Sequence, residues 1–387
     1  MRLNDELWRT YFFSDLFYIS NGINKDKKYF GYGYPIINYM DVNKNAFLSL
    51  EKIRGKVDVS NNEIKRYSVS VNDVILTRTS ETKDEIAYSS CILDQTIKCV
   101  FSGFLLRARP INDLTFAPFI VYQLRSPKYR KKLESISTET SRALINSNNL
   151  SKITINIPDK ATQEKISLLL MKIDKRIETQ NKIIEDLKTL KNTIKNQIYI
   201  NYNRVDLKKL ATLKNGYAFK SEEYDEEGQY EVITITNVTG ERYITKSKNK
   251  LKTIPNDIQK HQLLKPNDIL ISMTGNVGRV SKVKEKNCLL NQRVGLLEIK
   301  SIRNETIFQL LQSKQFTDYL VSRSQGAAQL NCGKNDIESF KIPYSEDKNF
   351  RTTITLLITI DNKLEIEKSI LKNIQLLKIF LLNNLFI

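Results

Sequence analysis

The phrase MKIDKRIE at 171–178 returns, little altered, as ITIDNKLE at 358–365, displaced by 187 residues. Other matches precede it in the same order. YPIINYMDV (34–42) matches YEVITITNV (230–238), and VNDVILTRTS (71–80) matches PNDILISMTG (266–275). CVFSGFLL (99–106) aligns with CLLNQRVGLL (288–297), and ETSRALINSNNLSKITINIP (139–158) with QGAAQLNCGKNDIESFKIP (325–343). The offset drifts from 196 to 187, as loop insertions produce. The chain is therefore a tandem duplication of a unit of about 190 residues, and its fold must be one that can be built twice.

Each copy of the phrase lies on a long amphipathic stripe. No Gly or Pro interrupts Thr162–Asn201, and Pro158 and Asp159 stand where a helix would start. Alternating four- and three-residue steps give Ile166, Leu170, Ile173, Ile177, Gln180, Ile184, Leu187, Lys191, Ile194 and Ile198. Adding 187 gives Thr353, Leu357, Ile360, Leu364, Glu367, Leu371, Ile374, Lys378, Leu381 and Leu385. Both are heptad seams with polar breaks at the same steps. A helix of about 40 residues spans roughly 60 Å and cannot bury such a stripe alone. Antiparallel pairing of the two helices is expected, with Lys191 near Glu367 and Gln180 near Lys378.

Between the seams lie short β-rich runs such as DVILTRT, YEVITIT and DILISMT. Turn signals separate them: NG at 21–22 and 215–216, VND at 71–73 and PND at 266–268. Segments 118–136 and 305–324 read as helices. The expected fold is α+β: two pseudo-symmetric globular domains (1–160 and 202–348) separated by two long antiparallel coiled-coil helices (161–201 and 349–387).

The net charge of +18 points to a polyanionic partner, nucleic acid first. No apolar run is long enough for a transmembrane helix, and the first residues do not resemble a secretory signal. The cysteines (Cys91, Cys99, Cys288, Cys332) form no CxxC pair, and His261 is the one histidine. Buried free thiols in a reducing cytoplasm are expected, and no metal site. A P-loop, a dinucleotide fingerprint and an Asn-Pro-Pro-Tyr-like segment are all missing, so no catalytic residues are assigned. One pattern leaves a Mg²⁺-dependent nuclease open: Asp268 with Glu298 and Lys300.

The polar text concentrates in loops. SMTGNVGRVSK, LNQRVG and SQGAAQLN supply Thr274, Asn276, Arg279, Gln292, Arg293, Gln325, Gln329 and Asn331. The first copy answers with Arg78, Thr79, Ser80, Lys83, Ser141, Arg142 and Asn146. Arg, Asn and Gln in such loops suit base edges, and glycines let backbone approach phosphate. The copies differ most in these loops while agreeing in framework, as two readers of different sequence would.

In NDILISMTGNVGRV, LNQRVGLL, QGAAQLNCGKNDIESFKIP and ITIDNKLE, and in the first-copy INIPDKATQEKI and KIDKRIE, the chain resembles the specificity subunit of type I restriction–modification systems along its whole length. The resemblance implies two target recognition domains, each reading half of a bipartite, asymmetric DNA site. The paired helices would set the spacing and dock two methyltransferase subunits, with restriction subunits joining the complex. Catalysis would lie with those partners, which would carry S-adenosylmethionine, ATP and Mg²⁺; this chain would hold no cofactor. A coiled-coil RNA-binding or scaffolding protein is the other reading.

Overall fold

The computed structural model describes residues 8–139, 142–300, 302–324 and 330–386. The chain divides into two compact units, Met1–Gln180 with Ile370–Ile387, and Asn181–Ser369. Each long helix therefore contributes one half to each unit.

In the first unit a five-stranded sheet runs in the order Phe17–Asn21, Leu105–Pro110, Val74–Thr77, Ser89–Ile92, Phe47–Leu48. All pairs but the last are antiparallel. Val74–Thr77 is buried on both faces, so its apolar run is nearly continuous rather than alternating. A second sheet joins Gly55–Val57, Phe30–Ile37 and Val100–Phe101. The second unit repeats the plan. Its antiparallel sheet has the order Ala211–Asn215, Val294–Ile299, Ile269–Ser272, Val280–Lys282, and a smaller one joins Lys250–Leu251, Tyr230–Ile233, Cys288–Leu290 and Leu263–Leu264.

The signals read as turns divide into two kinds. Asn72 and Asn267 adopt φ of 74° and 72°, the left-handed turn conformation that Asn tolerates. The next residue caps each turn: Ser70 N–H donates to Asp73 Oδ2 (2.8 Å) and Lys265 N–H to Asp268 Oδ2 (2.7 Å). The NG pairs are not turns. Gly22 and Gly216 end strands, where an added Cβ would stand 2.1 Å from the Ser102 carbonyl oxygen and 2.2 Å from that of Asn291. Glycine is there for close backbone approach.

Segments 118–136 and 305–324 are each two helices, not one: Ala117–Arg125 and Pro127–Ser135, then Asn304–Leu311 and Lys314–Arg323. Pro127 lacks an N–H and forces Ser126 into extended backbone. At the equivalent break Ser313 is also extended, and its hydroxyl accepts from Phe316 N–H at 3.2 Å.

Short ribbons lead into the long helices: Arg9–Phe12 pairs with Thr154–Ile157, and Arg204–Asp206 with Lys341–Pro343. Asp159 then caps the helix Lys160–Asn201 through Thr162 N–H (3.0 Å), and Asp347 caps Lys348–Asn384 through Phe350 N–H (2.7 Å). The helix halves are antiparallel. In the second unit Lys191 pairs with Asp361, while Tyr202 packs on Phe350 with ring centroids 5.0 Å apart. Every seam position is buried or half-buried.

The polar partners across the seam differ from the expected ones. Lys191 donates to Asp361 and Lys378 to Asp174 (2.5 Å), each six residues before the expected Glu367 and Gln180. Asp174 and Asp361 are the same residue of the repeated phrase, 187 apart. A third group explains the register. Tyr122 Oη donates to Asp174 at 2.8 Å, and Gln309 Nε2 donates to Asp361. Both come from the globular part, so heptad periodicity alone does not reveal them.

Candidate nucleic-acid interface

In the second unit three loops are tied together by backbone hydrogen bonds. Met273 N–H donates to Arg293 C=O (3.1 Å), Cys332 N–H to Met273 C=O (2.9 Å), and Gly275 N–H to Leu330 C=O (2.8 Å). Gly275 and Gly278 take φ of 72° and 79°, closing the turn that Ser272 braces by accepting from Arg279 N–H at 3.0 Å. Thr274 Oγ1 donates to Asn331 Oδ1 at 3.0 Å, so the donor end of this exposed amide is its NH₂. Asn276, Gln292, Arg293 and Asn331 are exposed on this rim. Arg279, at the end of the same loop, lines a different cleft with Lys188, Lys195, Lys314 and Lys368. There burial, and then the neighbouring Lys191, pushes the Lys195 amine well below the usual lysine range.

The first unit builds the same frame from other side chains. Arg78 N–H donates to Phe104 C=O (2.9 Å), so Phe104 occupies the place of Arg293. Thr79 and Ser80 pair with Leu144 and Ala143 as Thr274 pairs with Asn331. A cleft of about 460 Å³ opens beside them, lined by Tyr39, Met40, Thr79, Glu85, Phe104 and Arg142. Phe104 and Met40 are 56% and 51% exposed. Tyr39 Oη donates to Glu85 Oε2 at 2.9 Å and lies 3.3 Å from Ser80 Oγ.

The structure sorts the residues expected at the interface. Thr274, Asn276, Gln292, Arg293 and Asn331 converge, as do Thr79, Ser80 and Arg142. Arg78 is half-buried and Lys83 exposed beside the second group. Asn146 is a helix cap: its Oδ1 accepts from Asn149 N–H at 2.7 Å. Ser141, Gln325 and Gln329 lie outside the described residues. Phe104, Met40, Tyr39 and Glu85 were not singled out, although SGF at 102–104 contained the clue, since its alignment sets Phe104 against Arg293.

The trio that left a nuclease open serves the fold. Burial raises the Asp268 carboxyl above its usual range while the side chain caps its turn. Glu298 pairs with Lys214 (3.4 Å), and Lys300 Nζ donates to Lys208 C=O (2.6 Å). All four cysteines are free and buried. Burial pushes Cys99 up to about 12, and Cys288 and Cys332 up to about 11. Among the described residues no helix is long and apolar enough to cross a membrane.

A duplicated frame that carries two differing rims is the plan of a protein that recognises two different targets. The chain belongs to the family of the type I restriction modification DNA specificity domain, whose model matches residues 5–189 and again 199–376. It is a specificity subunit with two recognition domains. The putative type I restriction enzyme MjaX specificity subunit of Methanocaldococcus jannaschii is 25% identical over 386 residues, covering 90% of this chain and 85% of that one. The MjaVIII specificity subunit of the same organism is 23% identical over 357 residues, covering 83% and 80%. The fold is similar to the crystal structure of a type I S subunit from M. genitalium, with TM-score 0.65, 17% identity and coverage of 100% of this chain and 98% of that one. A structure from work on assembly and conformational transition of the type I R-M system matches with TM-score 0.58, 13% identity and coverage of 97% and 96%.

Proposed function

We propose that each unit reads one half of a bipartite, asymmetric DNA site in the cytoplasm, and that the rim residues make the base contacts. The observation that carries this reading is the exchange of side chains on an equivalent frame. Arg293, Gln292 and Asn331 present donors suited to guanine and adenine edges in the major groove. Phe104 and Met40 present apolar surface suited to a thymine methyl, beside the carboxylate of Glu85. The two half-sites therefore differ in composition. The excess of Lys and Arg adds phosphate contacts that position without discriminating.

The long helices act as the ruler and as the dock for two methyltransferase subunits. Support comes from their outer faces, where Leu376, Leu377, Ile379 and Phe380 in the first unit and Leu190 and Ile200 in the second are exposed. S-adenosylmethionine, ATP and Mg²⁺ belong to the methyltransferase and restriction partners. Methylome sequencing of a host expressing the chain with its methyltransferase tests the reading. A bipartite methyladenine motif, relaxed in only one half by Arg293→Ala, is expected. A continuous short motif would refute it.

A further inference from the structure

The second unit holds a cleft of about 340 Å³ beside the long helices, in which Lys188, Lys191, Lys195, Arg242, Arg279, Lys314 and Lys368 outnumber the carboxylates Glu241, Asp361 and Glu365. Three of these lysines have carboxylate partners: Lys191 with Asp361, Lys188 with Glu185 (2.8 Å), and Lys368 with Glu241 (2.6 Å). Lys195, Arg279 and Lys314 have none within ion-pair distance among the described residues. Arg279 is exposed on the wall, whereas Lys195 is only 4% exposed. One acceptor, the Gln312 carbonyl, serves the Lys195 ammonium, which has three protons to donate.

The first unit serves as an internal control. Leu382 stands at the position equivalent to Lys195, and Pro127 at that of Lys314, each 187 residues earlier or later in the repeat. Tyr88 replaces Arg279, identified by the shared bond: Thr77 N–H donates to Tyr88 C=O (2.9 Å) as Ser272 N–H does to Arg279 C=O (3.0 Å). Arg130 stacks on the Tyr88 ring at 4.6 Å, filling the space. The first copy thus places no cation at these three positions, and the arginines near them, Arg125 and Arg130, lie against the Tyr88 ring. Of the three only Lys195 is buried, and the carboxylate that acts on it, Asp361, is already bonded to Lys191 and Gln309; burying a lysine so thinly compensated is costly, so the second copy carries it for something other than packing.

We propose that this cleft binds a phosphate group, held by Lys195, Arg279 and Lys314. A dianion or phosphodiester supplies the missing counter-charge, and its oxygens accept the donors that Lys195 leaves unused. A carboxylate has fewer acceptor oxygens for three converging cations. Arg279 ends the loop that carries Thr274 and Asn276 to the rim, so the group is either a backbone phosphate of DNA read by that rim or a free small phosphate. The first source rests on the DNA reading proposed above; the second does not.

The test uses the full chain, Lys195→Leu (the residue of the first unit) and Arg279→Gln. Inorganic phosphate, against chloride at matched ionic strength, is expected to raise the thermal midpoint of the unaltered chain and of neither variant. In parallel, the slope of log K for DNA against log salt is measured. A slope lower by about one in Lys195→Leu, with the methylated motif unchanged, assigns the phosphate to the duplex. A lost phosphate effect with an unchanged slope assigns it to a free phosphate. No phosphate effect in the unaltered chain together with identical slopes overturns the proposal. Should the chain fail to direct bipartite methylation, the phosphate titration still decides the cleft.

Discussion

Replacing Asp361 by alanine removes the carboxylate on which Lys191 and Gln309 converge. The Asp361 side chain is 5% exposed and that of Lys191 11%, so water cannot take over. The substitution strands one ammonium next to a second buried lysine, Lys195. Breaking a buried pair from one side costs about 3–5 kcal/mol. For a unit the size of Asn181–Ser369, each kcal/mol moves the midpoint by roughly 2–4 °C, so a fall of about 10 °C is expected. Asp174→Ala makes the same deletion in the other copy of the repeat. There both side chains are 28% exposed, and solvent screens the stranded Lys378. Loss of the Tyr122 bond and a partly exposed ion pair amounts to about 1–2 kcal/mol. Calorimetry on the two variants, and on Lys191→Met with Asp361→Leu, completes the comparison. The double substitution should recover much of the loss, because no charge is left stranded and only the buried Gln309 amide is short of one acceptor. Equal costs at Asp361 and Asp174, or a double variant no better than Asp361→Ala, would refute the argument from burial.

Gly216→Ala should destabilise by about 3 kcal/mol in chemical denaturation, since its Cβ would lie 2.2 Å from a backbone carbonyl oxygen that cannot move without the rim loop. Asn146→Ala should cost about 1 kcal/mol by loss of the cap and leave the methylated sequence unchanged. Lys195→Leu should stabilise the chain in phosphate-free buffer. The folded-state pKa of Lys195 lies below its ordinary 10.5, so between the two values the unfolded chain binds more protons and native stability rises with pH. The advantage of the leucine variant over the unaltered chain should therefore shrink as pH approaches 10.5 and level off above it. An advantage that stayed constant with pH would contradict a depressed Lys195.

Much of the fold was legible because duplication supplied its own alignment. The seam positions, the VND and PND turns and the α+β plan follow from residues whose local preferences agree with their surroundings. What escaped the sequence depends on contacts between distant segments. Asp361 rather than Glu367 faces Lys191 because Gln309, on another helix, fixes it there. Gly22 and Gly216 read as turn glycines until the crossing backbone is seen. Helix 118–136 breaks at Pro127, a local signal, but the matching break at Ser313 has no proline to mark it. At the rims, polar residue types point to Arg293 and Asn331, whereas an apolar Phe104 at the position of Arg293 gives no such signal.

The division of the chain has a consequence for its synthesis. Asn181–Ser369 is continuous, and every residue of that unit has been made before Ile370 is added. The unit that begins first finishes last. Phe386 packs against Phe119, with ring centroids 5.3 Å apart, and Leu381, Leu382 and Leu385 cover the same core. On the ribosome, the first 180 residues therefore wait with apolar surface open until residues 370–387 emerge. A ribosome that stops early leaves the second reader complete and the first unsealed, so truncated products should be marked for proteolysis at their amino-terminal half.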